Sequence, residues 1–275
     1  MRHIILYLII IAAFSAGVAS GQTSVNITPQ VLEKLFRRLL TNYEDSDRLR
    51  INDSINSLVE NYVKSDTVFN CSFKNLHYLG QITSPDSLLK IVTWNLVLGS
   101  GQSSYFCYLI RKEETGNRNR IYRLSTVYSE AQVLTDTTYN GHNWYGALYY
   151  DVKPYQFENR RFWILLGIDY GNPFITRKII DVLSFTKQDS IIFGKKWFDS
   201  GDKKKFRDVF EYASNGMMSL RFSSDSSIVF DHLVPFSPDL KDDRQYYGPD
   251  FSYDSYFYKD GIWKLKINVD ARNKE

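Results

Sequence analysis

The most constraining feature of this chain is an alternation of apolar and polar residues that begins near Leu76 and continues almost to the C-terminus. It is clearest in the last segment, where four apolar side chains alternate with four polar ones from Trp263 to Asp270. Neighbouring residues of a β-strand point to opposite faces, so this pattern is typical of an antiparallel sheet that buries one face. No helical segment of ten residues separates these strands, which excludes a parallel α/β sheet.

About twelve strands follow from this pattern, and turn residues separate them. Asn140-Gly141, Asn215-Gly216 and Asp260-Gly261 are the strongest hairpin signals. The predicted fold is therefore mainly β, an antiparallel meander that forms a sandwich or a barrel. The strands also fall into three loose sets of four, which leaves a propeller-like arrangement as the less favoured alternative, because propellers normally have at least four blades. The predicted strands are residues 76–82, 88–97, 103–112, 119–128, 143–153, 161–169, 175–186, 206–213, 217–223, 227–234, 255–259 and 262–269.

Residues 22–66 precede the β region and have helical periodicity. Thr28 and Pro29 suit the cap and the first position of a helix. Apolar residues then recur at helical spacing up to Tyr43, and a second apolar stripe runs from Ile51 to Tyr62. This pattern predicts a helical hairpin that packs against the main β domain, residues 67–275.

The first 21 residues, 1–21, predict a secretory signal peptide. Arg2 and His3 provide a basic start, Ile4 to Phe14 form an uncharged apolar run, and small residues follow up to Gly21. The mature protein, from Gln22 onward, is therefore expected in the periplasm, on the cell surface or outside the cell. No later stretch of the sequence is long and apolar enough for a transmembrane helix.

The charge of the chain limits which partners it can bind, and its cysteine content limits which disulfides it can form. The chain has 34 basic and 31 acidic side chains without the clustered basic footprint that nucleic acid requires, so no nucleic-acid partner is expected. Cys71 and Cys107 are the two cysteines of the sequence. Export permits a disulfide between them, and the alternative is a pair of separate buried thiols.

Known catalytic motifs are absent from the sequence. It contains neither H-E-x-x-H nor G-x-S-x-G, and no phosphate-binding G-x-x-x-x-G-K-[ST] loop, so no cofactor and no metal are implied. The predicted mature chain has three histidines, His77, His142 and His232. Asp231 and His232 are neighbours on a predicted strand, so their side chains should leave opposite faces, and His232 is expected to be a packed structural residue.

The segment from Tyr246 to Asp254 is the candidate site, because it is the densest collection of aromatic rings and carboxylates in the sequence. A loop of about twenty residues is expected to carry it. Tyr247, Asp250, Tyr253 and Asp254 are the predicted ligand-binding residues, since rings offer apolar faces to a sugar and carboxylates accept hydrogen bonds from its hydroxyl groups. The alternative is a structural lid in which the aspartates bind backbone amides. A shared calcium ion is less favoured, because the EF-hand pattern is absent.

Three segments of the sequence carry a resemblance to a known family. They are SFKNLHYLGQITSPDSLLKIVTWNL, RFWILLGIDYGNPFITRKIIDVLSF and SSIVFDHLVPFSPDLKDDRQYYGPDFSYD. These segments resemble a family of exported proteins from Bacteroidota-type bacteria, and the resemblance covers most of the predicted mature chain. It implies a bacterial exported setting and supplies no catalytic residues, because no activity is assigned to that family.

Two functions remain open from the sequence. The favoured function is that of a non-catalytic exported module that binds a protein or a glycan through loops at one end of the sheet. The alternative is a glycan-acting hydrolase whose acidic residues the sequence does not locate. A cleft that holds two carboxylic side chains, with a raised pKa, would favour the hydrolase, because glycosidases use such a pair at a fixed separation.

Overall fold

The computed structural model of the protein describes residues 29–73, 76–113 and 119–270, so the predicted signal peptide and the Thr28 cap lie outside the described residues. Two α-helices, α1 (Pro29–Thr41) and α2 (Asp45–Val63), precede fifteen strands in this part of the chain. The predicted fold class, mainly β with an N-terminal helical pair, is confirmed. The strands are β1 (Gly80–Thr83), β2 (Leu89–Val97), β3 (Ser103–Lys112), β4 (Asn119–Val127), β5 (Leu148–Phe157), β6 (Arg160–Asp169), β7 (Ile175–Phe185), β8 (Ile191–Phe193), β9 (Phe198–Asp199), β10 (Lys204–Lys205), β11 (Asp208–Ala213), β12 (Leu220–Ser224), β13 (Ser227–Pro235), β14 (Tyr247–Lys259) and β15 (Ile262–Lys266).

The described strands form three sheets, and the second and third are interleaved in the sequence because β9 and β10 of the third precede β11 of the second. The first sheet has the order β1-β2-β3-β4, and the second has the order β11-β7-β6-β5 with β8 beside β7. The third sheet has the order β10-β9-β15-β14-β13-β12. Neighbouring strands are antiparallel in the first two sheets, whereas β15 and β9 of the third sheet are parallel.

Three apolar layers hold the helices and the sheets in a stack. The helices pack on one face of the first sheet, where Ile55 contributes to the same buried layer as Trp94. The opposite face of the first sheet packs on the second sheet, and the far face of the second sheet packs on the third. The three sheets are therefore stacked face to face, and each fully buried aliphatic or aromatic side chain contributes about 1.5–3 kcal/mol to this packing.

The second sheet lies in the middle of the stack and is buried on both faces. In β6, Leu165 belongs to the layer shared with the first sheet, while Ile164 and Leu166 belong to the layer shared with the third. This position explains why β6 has a nearly continuous apolar sequence, because a strand with two buried faces has no polar side to alternate with.

The predicted disulfide is not formed, and both cysteines are free thiols. Cys107 is buried between the first two sheets, and burial raises the pKa of its thiol. Cys71 is exposed, and its carbonyl oxygen accepts a hydrogen bond of 2.6 Å from Lys90 Nζ on the helical side of the first sheet. The two cysteines thus lie on opposite sides of a sheet, where their Cβ atoms cannot reach the separation of about 4 Å that a disulfide needs.

Candidate functional site

The four predicted site residues lie on a strand, which overturns the prediction of a loop. β14 begins at Tyr247, pairs with β13 through Tyr247 opposite Pro235, and resumes the pairing with Tyr253 opposite Asp231. Between these points residues 250–252 of β14 oppose one residue of β13, which makes a bulge. The backbone pairing outweighs the turn preference of the Gly248-Pro249-Asp250 sequence, and the bulge removes the alternation that would have identified the strand.

Tyr247 and Asp250 form local contacts within this region. Tyr247 is buried, and its hydroxyl group donates a hydrogen bond of 2.7 Å to the carbonyl oxygen of Lys241. Asp250 Oδ1 accepts hydrogen bonds from the Ser252 hydroxyl (2.7 Å) and the Ser252 backbone N–H (3.0 Å), which hold the pKa of this carboxyl below its usual value. These bonds fix the bulge around Phe251, which has a φ of 70° and is 95% exposed.

Asp254 is buried and pairs with His232 across the bulge. The distance from Asp254 Oδ2 to His232 Nδ1 is 2.7 Å, and Asp254 Oδ1 accepts a hydrogen bond of 3.1 Å from the Asn268 backbone N–H. Asp231 accepts a hydrogen bond of 2.7 Å from the Ser219 backbone N–H. Asp231 and His232 are neighbours in the sequence, but they do not bond to each other. The aspartates and the buried tyrosine of the predicted site are therefore bonded within the protein, and they line none of the three cavities described below.

Two buried carboxyl groups with a raised pKa belong to the second sheet, one on β6 and one on β7. Burial raises the pKa of Asp169 and of Asp181. Asp181 lies 3.0 Å from Arg207 Nε and accepts a hydrogen bond of 2.7 Å from the Tyr145 hydroxyl. Asp169 accepts a hydrogen bond of 2.6 Å from the Tyr105 hydroxyl. Asp169 thus links the second sheet to the first, whereas Asp181 is bonded to two residues of connecting segments.

Two further carboxyl groups, Asp208 and Glu211, line a cavity of about 330 Å³ beside β11. Asp208 is ion-paired with Lys205 at 2.7 Å, and Glu211 is ion-paired with Arg177 at 2.8 Å. Asp208 also accepts a hydrogen bond of 2.6 Å from the hydroxyl group of Tyr256. Because both carboxylates are engaged by cations, this cavity differs from the site of a glycosidase, which keeps an acid and a base available to the substrate.

A cavity of about 440 Å³ lies between helix α1 and the adjoining edges of the first two sheets, at β1 and β5. Helix α1 contributes Phe36, Leu39 and Leu40 to its wall. The edges of the two sheets meet here, since a Cβ atom built on Gly80 of β1 would lie 3.7 Å from the carbonyl oxygen of Tyr149 in β5. We call this space the aromatic cavity, and its size is typical of small-ligand sites.

Three partly exposed tyrosine rings line the aromatic cavity. Tyr78, Tyr150 and Tyr170 are 44%, 37% and 54% exposed, so their rings are accessible from solvent. Tyr150 is anchored by a hydrogen bond of 2.9 Å from its hydroxyl group to the carbonyl oxygen of Leu220. The backbone N–H of Tyr170 donates to the Tyr105 hydroxyl at 2.9 Å. Burial raises the pKa of Tyr150 and of Tyr170 above the ordinary value of a phenol.

Two polar residues of the aromatic cavity, Asn95 and Thr93, have side-chain groups without a hydrogen-bond partner among the described residues. The half-buried side-chain amide of Asn95 makes no hydrogen bond with another described residue. Thr93 lies on the same face of β2, and its buried Oγ1 also has no partner among the described residues. Gly80 is opposite Thr93, and a Cβ atom there would lie 2.7 Å from that oxygen, so only glycine fits without displacing the wall. Buried polar groups are normally bonded, which makes this wall unusual.

The sequence does not single out the residues of the aromatic cavity, because they come from distant segments. Tyr78, Tyr150 and Tyr170 are three of 20 tyrosines, and nothing in their spacing distinguishes them. The one available signal is Gly80, since a glycine inside a strand often marks a close approach of another part of the chain.

The described histidine, cysteine, aspartate and glutamate side chains form no group of three or more that could hold a metal ion. None of the described helices is long and apolar enough to cross a membrane. The chain was also compared with known proteins. Comparisons with protein-family models, with curated proteins and with solved structures gave no significant match.

Proposed function

We propose that this protein is an exported, non-catalytic module that binds a sugar residue of a glycan in the aromatic cavity. The observation that carries the proposal is the combination of three accessible tyrosine rings with the free amide of Asn95 around one cavity. Most small-ligand sites have this composition, in which apolar and aromatic walls provide contact area and a few polar groups fix orientation.

The chemistry of the wall favours a sugar over a purely apolar ligand. A sugar ring has an apolar C–H face, which packs on a tyrosine ring, and hydroxyl groups at its rim. The phenol group of Tyr170 and the amide of Asn95 offer hydrogen bonds to those hydroxyl groups, whereas the Tyr150 hydroxyl is already bonded to the carbonyl oxygen of Leu220. An entirely apolar ligand would bury the Asn95 amide without a partner, at a cost of about 1–3 kcal/mol.

The state of the carboxyl groups supports binding rather than hydrolysis. Those with a raised pKa, Asp169 and Asp181, are enclosed in the core, and those that line a cavity, Asp208 and Glu211, are ion-paired. The described lining residues of the aromatic cavity include no carboxylate. A glycosidase would need two such groups on either side of the bound sugar.

The proposed exported location rests on the sequence pattern of residues 1–21. We expect the native protein to lack these residues and to lie in the periplasm, on the cell surface or outside the cell. Intact mass measurement and fractionation of the native source test this expectation. A retained Met1 together with a cytoplasmic location would contradict it.

A glycan array followed by calorimetric titration tests the proposed binding. We expect a glycan to bind the wild type, and Tyr170→Ala and Tyr78→Ala each to weaken its binding about two- to tenfold, since loss of one ring contact costs about 0.5–1.5 kcal/mol. Tyr246→Ala is the matched control, because Tyr246 is 39% exposed beside the bulge of β14 and lies outside the aromatic cavity. If Tyr246→Ala weakens binding and Tyr170→Ala does not, the site is on β14 instead.

A further inference from the structure

A third cavity, of about 770 Å³, lies at one end of the first two sheets and is lined by described residues at the ends of β3 and β4 and by the β5–β6 and β7–β8 turns. We propose that this basic groove binds an anionic polysaccharide that carries sulfate or carboxylate groups. The groove is separate from the aromatic cavity and shares no lining residue with it, so the two sites succeed or fail independently.

The basic groove collects charge that is scattered in the sequence. Its lining residues include six cations, which come from four separate segments, and the single carboxylate of Glu113. Among the described residues, cations outnumber carboxylates by six to three when Asp86 and Asp189, which pair with cations of the groove, are also counted. This excess equals the formal net charge of the whole chain, which is +3. The six cations are Arg111, Lys112, Arg120, Arg160, Arg161 and Lys187.

Half of these cations are available for a ligand. Lys112, Arg160 and Lys187 are exposed, and none of them has an ion pair with another described residue. Arg160 follows a two-residue turn in which Glu158 and Asn159 both have positive φ, at 50° and 59°. A glutamate rarely adopts this conformation, so the turn that presents Arg160 is maintained at a local energetic cost.

The other cations form a fixed base for the groove. Arg111 is ion-paired with Asp189 and stacks on the ring of Phe185 at 4.6 Å, while Arg120 lies 3.6 Å from the same aspartate. Trp163 also lines the groove, and its buried indole N–H has no acceptor among the described residues. These contacts hold the base in place before a ligand arrives, which reduces the ordering cost of binding.

The lack of accessible aromatic rings among the described lining residues and the polar side chains of the groove favour a polysaccharide over a single-stranded nucleic acid. Grooves that bind single-stranded nucleic acid combine positive charge with accessible rings on which bases stack. Here the ring of Phe185 is covered by Arg111, and Trp163 is 3% exposed, so neither offers a stacking face. The remaining polar side chains, Asn159 and Thr186, are partners for sugar hydroxyl groups.

The test measures binding of a sulfated hexasaccharide by calorimetry at several salt concentrations. We expect the double variant Lys112→Ser/Lys187→Ser to bind at least tenfold more weakly than wild type at low salt. The slope of log affinity against log salt concentration should fall by about one for each lysine removed, as for other contacts with polyanions. Both lysines are exposed, so the variant should keep the wild-type Tm.

The control is Lys264→Ser/Lys266→Ser, which removes the same charge from exposed positions of β15. The proposal requires this control to bind the sulfated hexasaccharide like wild type. Equal weakening in both variants, or none in either, would overturn it. A neutral hexasaccharide and a single-stranded oligonucleotide of equal charge complete the series. Tighter binding of the oligonucleotide in the groove would overturn the choice of a polysaccharide.

Discussion

Asn52 and Asn95 contact the two faces of the first sheet and differ in how their side-chain amides are satisfied. Asn52 Oδ1 accepts a hydrogen bond of 3.0 Å from the indole N–H of Trp94, inside the layer between the helices and the sheet. Asn95 follows Trp94 on β2. Its side chain faces the aromatic cavity and has no partner among the described residues. The first asparagine completes the core, whereas the second has an amide that no described residue satisfies.

β14 and the aromatic cavity differ in the same way, because the carboxyl groups of β14 are hydrogen-bonded within the protein and the polar groups of Asn95 and Thr93 in the cavity are not bonded to any described residue. The polar groups of Asp250 and Asp254 are bonded to Ser252, His232 and the Asn268 backbone, so their role is to fix a bulge. In the aromatic cavity the amide of Asn95 and the buried hydroxyl of Thr93 have no partner among the described residues. A high density of aromatic rings and carboxylates in the sequence is thus a weaker sign of a site than a small number of unsatisfied groups beside a cavity.

The largest expected effect comes from breaking a fully satisfied network. Arg207→Ala should lower the free energy of unfolding by about 3–5 kcal/mol, because it leaves the carboxylate of Asp181 buried without its cation. Urea unfolding measures the change. Arg37→Ala is the control, since its pair with Glu33 is exposed to solvent and should contribute under about 0.5 kcal/mol. A loss below about 1 kcal/mol for Arg207→Ala would show that this network is not structural.

A smaller loss of stability is expected at the predicted site on β14. Asp254→Ala should lower the free energy of unfolding by about 1–3 kcal/mol, because the ring of His232 and the backbone N–H of Asn268 lose their acceptor. Affinity for the glycan should stay unchanged. Thermal unfolding and calorimetry on the same sample decide the matter, and weaker glycan binding at unchanged Tm would restore β14 as the ligand site.

The smallest expected effect is a pH dependence at Asp250. Hydrogen bonds from Ser252 hold the pKa of Asp250 below the ordinary value of 3.8. The carboxylate therefore stabilises the folded state above about pH 4, and this stabilisation disappears as the pH falls through the lowered pKa. Asp250→Asn should lower the Tm by about 1–2 °C at pH 7, a small effect because the group is exposed, and this difference should shrink as the pH falls below about 4. A difference that does not shrink on acidification would exclude this cause.

The sequence predicts the strands and the mainly β fold class better than it predicts the site. The alternation places β3 at residues 103–112, as observed, because this strand is long and has strong hairpin partners on both sides. It fails at β14, where the bulge at residues 250–252 interrupts the period of two. Short strands such as Phe198–Asp199 are missed, since two residues show no periodicity and depend on neighbours distant in the chain.

The candidate site depends on contacts that sequence patterns do not encode. Tyr78 and Tyr170 are 92 positions apart in the chain and line one cavity because the edges of two sheets meet beside α1. Whether Asn95 is bonded depends likewise on which residues surround it after folding. Residue type gives the chemistry of such a site, and tertiary packing decides which polar groups are left free.

The most direct test of the account compares Asn95→Ala with Asn52→Ala, by Tm and by calorimetric titration with the glycan identified on the array. Asn95→Ala should weaken binding about tenfold at unchanged Tm, because the amide bonds to the ligand and to no described residue of the protein. Asn52→Ala should lower the Tm by about 2–8 °C at unchanged affinity, because the indole N–H of Trp94 loses its acceptor. A lowered Tm with wild-type affinity in Asn95→Ala would contradict the central claim.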